Sequence, residues 1–151
     1  MRVWREAAMI SRKILIVDDD HDYVEAVSSF LEANGYLVLK AYDGSEGLKL
    51  AKMQRPDLII MDIVMDERTE GFFAVHEIRR TPQLSAVPIF ILSSLYSKTT
   101  DFQVPPDRAW LAHDEFFAKP VSMPALLDKI REHLRQHEPA PVEPTGRKAE
   151  A

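Results

Sequence analysis

Five polar side chains directly follow short apolar runs of the sequence, and their types suit phosphate and metal chemistry. Asp18 and Asp19 follow KILIV, Asp62 follows LIIM, Ser93 follows VPIFIL and Lys119 follows FFA. A carboxylate can act as a nucleophile toward a phosphoryl group, whereas a hydroxyl and an ammonium can contact the oxygens of the group being transferred. These residues therefore suggest phosphoryl transfer to an aspartate, provided that the fold brings them together.

Three carboxylates at one site would repel one another, and one of them would be expected to bind a proton unless a cation is shared. A hard divalent cation meets this need, because Mg2+ prefers oxygen ligands and commonly bridges carboxylates to a phosphate. Asp18, Asp19 and Asp62 are therefore predicted metal ligands, with Mg2+ or Mn2+ as the cofactor. The cation and Lys119 would neutralise the charge that builds on the transferred group, and Ser93 would donate a hydrogen bond to it.

The elements that must position these residues alternate along the chain. Short apolar runs predict buried strands at 13–17, 37–41, 58–61, 87–92 and 116–118. Helical spacing of apolar residues predicts helices between them and a last helix from about Pro124 to Arg135. The expected helix ends are Asp20, Ser45 and Ser122 as N-caps, and Gly35 and Thr81-Pro82 as stops.

Alternating strands and helices of this kind predict an α/β fold, in which a parallel sheet is covered by helices on both faces. The carboxyl ends of parallel strands open onto one edge, where ligands bind at the point at which the strand order reverses. The residues after the first, third, fourth and fifth strands should therefore meet in one crevice.

Each residue also has a simpler explanation. The acids at 18–20 could form a solvated turn, and Asp20 is expected to do no more than cap the first helix. Considered singly, Ser93 and Lys119 are better explained as a turn residue and a surface lysine, and Asp62 could be a loop acid. Their joint occurrence at four strand ends favours the functional interpretation.

Composition limits the class of protein. The 151 residues are 46% hydrophobic and 28% charged, which suits one globular domain. The chain has no cysteine, and its net charge of −5 argues against direct nucleic-acid binding. It also has no apolar run of membrane-spanning length and no secretory signal at 1–11, so a cytoplasmic protein without a membrane anchor is expected.

The predicted domain covers residues 12–137, after a loose N-terminal extension at 1–11. Residues 138–151 are rich in proline and charge, which predicts a disordered tail or the stub of a linker. Within the domain, Pro105-Pro106 interrupts the expected fourth helix between 94 and 114, so that only a short helical piece at about 107–112 is expected.

The segments KILIVDDD, DLIIMD, VPIFILSS and FFAKP resemble the successive motifs of response-regulator receiver domains from two-component signalling. The resemblance covers about Arg12 to Arg135. It implies a flavodoxin-like sheet of five strands in the order 2-1-3-4-5, with Asp18 and Asp19 as the acidic pair and Asp62 as the phosphoacceptor. It also implies that Lys119 contacts the phosphoryl group and that the Lys119-Pro120 bond is a candidate cis peptide.

The resemblance further implies a switch rather than an enzyme. Ser93 matches the switch hydroxyl, Phe116 matches the switch aromatic, and the resemblance implies that the backbone carbonyl of Val64 would be a further metal ligand. A histidine kinase or phosphotransfer protein would supply the phosphoryl group, and an unknown downstream protein, or a second copy in a homodimer, would receive the signal. Phe116 could instead be only a core aromatic.

The sequence departs from the family pattern in three places. The loop IVMDERTEG after Asp62 carries Asp66 where proline is usual and reaches Gly71 one residue late, so this loop should be reshaped. Val64 and Leu95 are apolar where fast-resetting relatives are often polar, which predicts a long-lived phosphoryl group. In similar proteins the segment that corresponds to 94–114 helps to form the surface that binds partners or a second copy. Because this segment is irregular here, the resemblance does not predict the partner.

Other functions compete with this interpretation. A phosphorylation-independent pseudo-receiver would have no need for the complete set of acids, hydroxyl and lysine, but the altered loop after Asp62 keeps this alternative open. A magnesium-dependent phosphatase with an aspartate nucleophile usually has a second acid two residues later, where this chain has Val64. A flavodoxin would bind phosphate just after the first strand, where the three aspartates would repel it. The segment after His137 is too short and too rich in proline to supply a DNA-binding module, so a stand-alone receiver that acts through protein contacts is expected.

Overall fold

The computed structural model describes residues 12–63, 70–93 and 114–136 of the chain. Strands and helices alternate through these residues. The elements are β1 Lys13–Val17, α1 His21–Ala33, β2 Leu37–Ala41, α2 Gly44–Gln54, β3 Leu58–Met61, α3 Glu70–Arg80, a short 3-10 helix Pro82–Leu84, β4 Ile89–Ser93, β5 Glu115–Ala118 and α4 Met123–Gln136. Of these helices, none in the described residues has the length and apolar character needed to span a membrane.

The strands form one parallel sheet in the order β2-β1-β3-β4-β5, which confirms the predicted topology. In the central register, Val17 pairs with Ala41 on one side and with Met61 on the other. Ser93 pairs with Ala118 at the other end of the sheet. The residues that follow these pairs, among them Asp18, Asp62 and Lys119, therefore emerge at the same edge.

The core has two halves, one on each face of the sheet, because successive side chains of a strand point to opposite faces. In β1, Leu15 and Val17 belong to the half of the core that includes residues of α2 and α3, whereas Ile14 and Ile16 belong to the half that includes residues of α1 and α4. All four of these side chains are buried. The buried residues of α4 are those expected from the sequence: Leu126, Leu127, Ile130 and Leu134.

The first two helices each begin directly after an aspartate whose side chain caps the helix. Asp20 caps α1 as expected, since its Oδ1 accepts a hydrogen bond of 3.1 Å from the Tyr23 backbone N–H. The predicted cap of α2, Ser45, is wrong, because Asp43 caps this helix instead. Asp43 Oδ1 accepts from the Glu46 N–H at 2.7 Å, and the Glu46 carboxylate accepts from the Tyr42 N–H at 2.8 Å. These two bonds, which resemble a capping box except that Glu46 binds the N–H before the cap residue, start the helix at Gly44 and leave Ser45 in its first turn.

The amino end of β5 is tied to β4 and α3 by Asp114. The Oδ2 atom of Asp114 accepts hydrogen bonds from the Ile89 N–H at 2.8 Å and from the Arg79 guanidinium at 3.0 Å. The backbone N–H of Asp114 donates to the Ile89 carbonyl at 2.8 Å. β4 begins at Ile89, two residues later than expected, because Pro88 has no N–H to donate to the ladder.

Several predictions concern residues outside those described. They are the extension at 1–11, the tail at 138–151, the irregular helix expected between 94 and 114 with its short piece at 107–112, and the reshaped loop that includes Val64 and Asp66.

Candidate functional site

Asp18 and Asp62 lie side by side because their strands are hydrogen-bonded neighbours. The Asp62 N–H donates to the Val17 carbonyl at 2.9 Å, and the Asp18 N–H donates to the Ala41 carbonyl at 3.1 Å. Asp18 is 2% exposed and Asp62 is 5% exposed, which is rare for carboxylates unless they have partners. Two acids buried together at the end of a sheet therefore call for a compensating cation.

Asp19 completes a cluster of three carboxylates. Asp18, Asp19 and Asp62 each contribute one oxygen to a group in which all three atoms lie within 4.8 Å of one another. Asp19 is the partly exposed member, so the cluster is open to solvent on its side. The donors are all oxygens, which fits Mg2+ or Mn2+ and does not fit a metal that prefers nitrogen or sulfur ligands. The convergence expected from the sequence is thus observed for these acids.

Lys119 brings a positive charge to the same place from the end of β5. Its Nζ atom lies 2.6 Å from Oδ2 of Asp18 and 3.4 Å from Oδ2 of Asp62. Burial lowers the pKa of Lys119, but the hydrogen bond to Asp18 and the negative charge of Asp62 outweigh burial and raise the pKa above its ordinary value. Lys119 is therefore an ammonium at neutral pH. The Lys119-Pro120 bond is cis, as predicted.

The three consecutive aspartates have different surroundings. Asp18 Oδ1 accepts from the Asp20 N–H at 2.9 Å, while its other oxygen accepts from Lys119. Asp20 caps α1 and belongs to the helix, as expected. The sequence DDD thus divides into a buried acid paired with Lys119, a partly exposed acid beside it and a helix cap.

Tyr23 is a member of the site that the sequence analysis missed. The Lys119 Nζ atom lies over its ring, 4.5 Å from the centroid. Burial raises the pKa of the Tyr23 phenol; the charge of Lys119 lowers it, and the charges of Asp18, Asp62 and Asp20 raise it further. A signal was available in the sequence, because Tyr23 is in the first turn of α1 and α1 begins beside the acidic pair. An aromatic residue at that point is placed to contact whatever lies at the strand ends.

Gly71, in the first turn of α3, lies against the backbone that follows β3. A Cβ atom at this position would be 2.5 Å from the Asp62 carbonyl oxygen and 2.5 Å from the Ile63 Cα atom. Contacts this short require a residue without a side chain. Gly71 arrives one residue late in sequence, but it still allows α3 to approach the Asp62 backbone.

Ser93 and Phe116 lie on the neighbouring strands. The Ser93 backbone pairs with Ala118, the residue before Lys119, but its hydroxyl is not among the described side chains. Phe116 pairs with Ile91 and packs, partly buried, against the core on the α2 and α3 face. This position suits both a core aromatic and a switch aromatic, so the switching role of Phe116 stays a prediction.

A parallel sheet in the order 2-1-3-4-5 with three clustered aspartates at its carboxyl end is the arrangement expected of a receiver domain. Comparison with known proteins agrees with this class. The model of the response regulator receiver domain matches residues 14–131. The chain therefore belongs to the response-regulator receiver family.

Individual relatives support the assignment. Protein PilH of Pseudomonas aeruginosa is 33% identical over 121 residues, which cover 78% of this chain and 93% of PilH. A CheY-like receiver domain protein from Methanospirillum hungatei superposes with a TM-score of 0.72 at 25% identity, covering 85% of this chain and 97% of that one. The chemotaxis protein CheY4 of Vibrio cholerae gives a TM-score of 0.70 at 29% identity over 81% and 98% of the two chains.

Proposed function

We propose that this chain is a phosphoacceptor switch in which Asp62 receives a phosphoryl group from a histidine kinase or a phosphotransfer protein. The observation that carries the proposal is the position of the Lys119 ammonium, which contacts both Asp18 and Asp62 while these two carboxylates are buried. An ammonium so close to Asp62 is placed to stabilise negative charge on a group that Asp62 accepts.

The proposed reaction transfers one phosphoryl group. An Asp62 carboxylate oxygen attacks phosphorus of a phosphohistidine, a P–O bond forms, and the P–N bond breaks. The imidazole nitrogen keeps the electron pair of the broken bond and can then take a proton from solvent. The product is an acyl phosphate, a known product of carboxylate nucleophiles. Lys119 would donate a hydrogen bond to one oxygen of the phosphoryl group.

Asp18, Asp19 and Asp62 are the residues that would hold Mg2+ or Mn2+, with the Val64 carbonyl as a further ligand. Their fit is supported by three carboxylate oxygens within 4.8 Å of one another, opposed by the single ammonium of Lys119 in the described part of the site. The bound cation would neutralise charge on the phosphoryl oxygens. Asp18 and Asp62 would also orient Lys119, since both accept hydrogen bonds from it.

The proposed output is a change of surface rather than turnover of a separate substrate. The Ser93 hydroxyl would move toward the phosphoryl group, and Phe116 would rotate into the space that becomes free. The signal would pass through contacts with a downstream protein, or with a second copy in a homodimer, rather than through nucleic acid. We place this activity in the cytoplasm, where such a kinase would meet the chain.

Incubation with Mg2+ and acetyl phosphate, followed by intact mass measurement, tests the proposal. We expect wild type to gain one phosphoryl group, which base or hydroxylamine removes, and Asp62→Asn to gain none. Asp57→Asn is a matched control, because Asp57 is an acid at the opposite end of β3 and binds the Lys13 N–H at 2.8 Å. A wild-type chain that gains no mass would favour the pseudo-receiver alternative.

A further inference from the structure

The Lys119 ammonium has a third neighbour besides its two carboxylates. The Tyr23 ring lies beneath Nζ, with 4.5 Å between Nζ and the ring centroid. The position of the ring is itself fixed, because the Tyr23 N–H donates to Asp20 and the ring packs against the core on the α1 and α4 face. Lys119 is thus enclosed by Asp18, Asp62 and an aromatic face.

The attraction of these three neighbours for the Lys119 ammonium responds differently to phosphorylation and to metal binding. The charge of Asp62 changes when it accepts a phosphoryl group, and any divalent cation bound by Asp18 and Asp62 competes with the ammonium for the same oxygens. The ring face attracts a cation through its quadrupole, which neither event alters. The aromatic contact is therefore the one that persists when both carboxylates are otherwise engaged.

We propose that Tyr23 is a positioning residue that holds the Lys119 ammonium beside Asp62 through the face of its ring. This inference rests on the proposed function, since it assigns a role to Tyr23 in phosphoryl transfer to Asp62. Tyr23 touches neither the donor nor the phosphoryl group and acts through Lys119.

The ring, rather than the hydroxyl, carries this role. The Tyr23 hydroxyl is buried and has no hydrogen-bond partner among the described residues. It therefore makes no described contact that would fix Lys119, whereas the ring lies within the 6 Å at which cation–π attraction is effective. Phenylalanine at position 23 would keep this contact, and leucine would remove it while filling a similar apolar volume.

The first measurement is the rate of phosphorylation of the full chain by acetyl phosphate at saturating Mg2+, followed by intact mass. We expect Tyr23→Leu to slow the reaction about three- to tenfold, the range of a partly buried cation–π contact, and Tyr23→Phe to restore it. Tyr36→Leu is the matched control, because Tyr36 packs against the same half of the core but lies before β2, at the other end of the sheet.

The second measurement detects the contact itself. Ring current should move the ε-methylene protons of Lys119 upfield in the NMR spectrum of wild type and of Tyr23→Phe, and Tyr23→Leu should return them to the position of the exposed lysines. Loss of the signal in Lys119→Arg assigns it. This readout requires neither phosphorylation nor a bound metal, and the wild-type spectrum alone tests it even if a variant does not fold.

The outcomes separate the two proposals. An unshifted Lys119 signal in wild type, a Tyr23→Leu variant as fast as wild type, or a Tyr23→Phe variant as slow as Tyr23→Leu would each overturn the role of the ring. A wild-type chain that shows the shifted Lys119 signal but takes up no phosphoryl group would overturn the proposed function and leave the contact between Tyr23 and Lys119 established.

Discussion

Lys119 Nζ lies closer to Asp18 than to the expected phosphoacceptor: 2.6 Å separates it from Asp18 Oδ2, compared with 3.4 Å from Asp62 Oδ2. The shorter contact joins the ends of β1 and β5, two strands that are not neighbours in the sheet. Lys119 thus contacts two of the three carboxylates that would bind a divalent cation, and the ammonium and the bound cation would compete for Asp18.

Lys119→Met should strengthen Mg2+ binding, because the competing ammonium is removed from Asp18 and Asp62. We expect a dissociation constant lower by about tenfold, which corresponds to about 1.4 kcal/mol. Without metal, the same variant should be destabilised by about 2–4 kcal/mol, since two buried carboxylates lose their partner. Calorimetric titration and urea unfolding measure the two effects, and weaker Mg2+ binding in the variant would contradict this explanation.

Removal of metal should destabilise the protein through repulsion among the three acids. At a Mg2+ concentration ten times the dissociation constant, binding should add about 1.4 kcal/mol to the free energy of unfolding. Asp19→Asn should raise the melting temperature in EDTA and abolish the increase that Mg2+ gives to wild type. Asp22→Asn, a change of an exposed acid in the first turn of α1, is the control and should keep the response to Mg2+.

Tyr23 and Lys119 should make the metal-free protein less stable in alkali. Both groups have a pKa that is raised in the folded state above the ordinary values of 10.0 and 10.5. Because the folded protein holds these protons when the unfolded chain has lost them, their contribution is complete below about pH 10 and is lost as the pH rises through the folded pKa values. Urea unfolding between pH 9 and pH 11 should show a smaller loss in Tyr23→Phe than in wild type; an equal loss would contradict this assignment.

Gly71→Ala should disturb the Asp62 backbone, since its Cβ atom would overlap the Asp62 carbonyl and Ile63 Cα. We expect a loss of about 1–3 kcal/mol in the free energy of unfolding, together with slower phosphorylation. Gly35→Ala is a useful comparison, because Gly35 has a φ of +96° and open space around it. It should cost about 1–2 kcal/mol through backbone strain and leave the phosphorylation rate unchanged. Equal rates in the two variants would show that Gly71 does not position Asp62.

The strands, their order in the sheet and the polar residues that follow them could be predicted from the sequence. The bounds of β1, β2 and β3 agree with the apolar runs. β3 and residues 14–17 of β1 are buried throughout, as expected of strands covered on both faces, whereas β2 is an outer strand with an exposed Leu37 and a polar Lys40. Convergence of Asp18, Asp19 and Asp62 followed from parallel pairing alone. Ser45 was misassigned as a cap because two polar residues compete there, and Glu46 decides between them through its bond to the Tyr42 N–H.

Side-chain contacts within the site could not be obtained from the pattern. The preference of Lys119 for Asp18 over Asp62 depends on the direction in which a long side chain crosses the sheet edge. The place of Tyr23 depends on how α1 leaves β1, which the cap at Asp20 sets. Gly71 was recognised as displaced, but its approach to the Asp62 carbonyl requires the path of α3.

β5 has only four residues and, among the described strands, pairs with β4 alone, so its own ladder holds its register weakly. Asp114 anchors one end on Ile89 and Arg79, and Lys119 anchors the other on Asp18. A slip of one residue would exchange Phe116 and Phe117 between the two halves of the core and move Lys119 by about 3.3 Å along the strand. The contacts of the acidic Asp114 and the basic Lys119, at opposite ends of β5, therefore fix the register of this outer strand against β4.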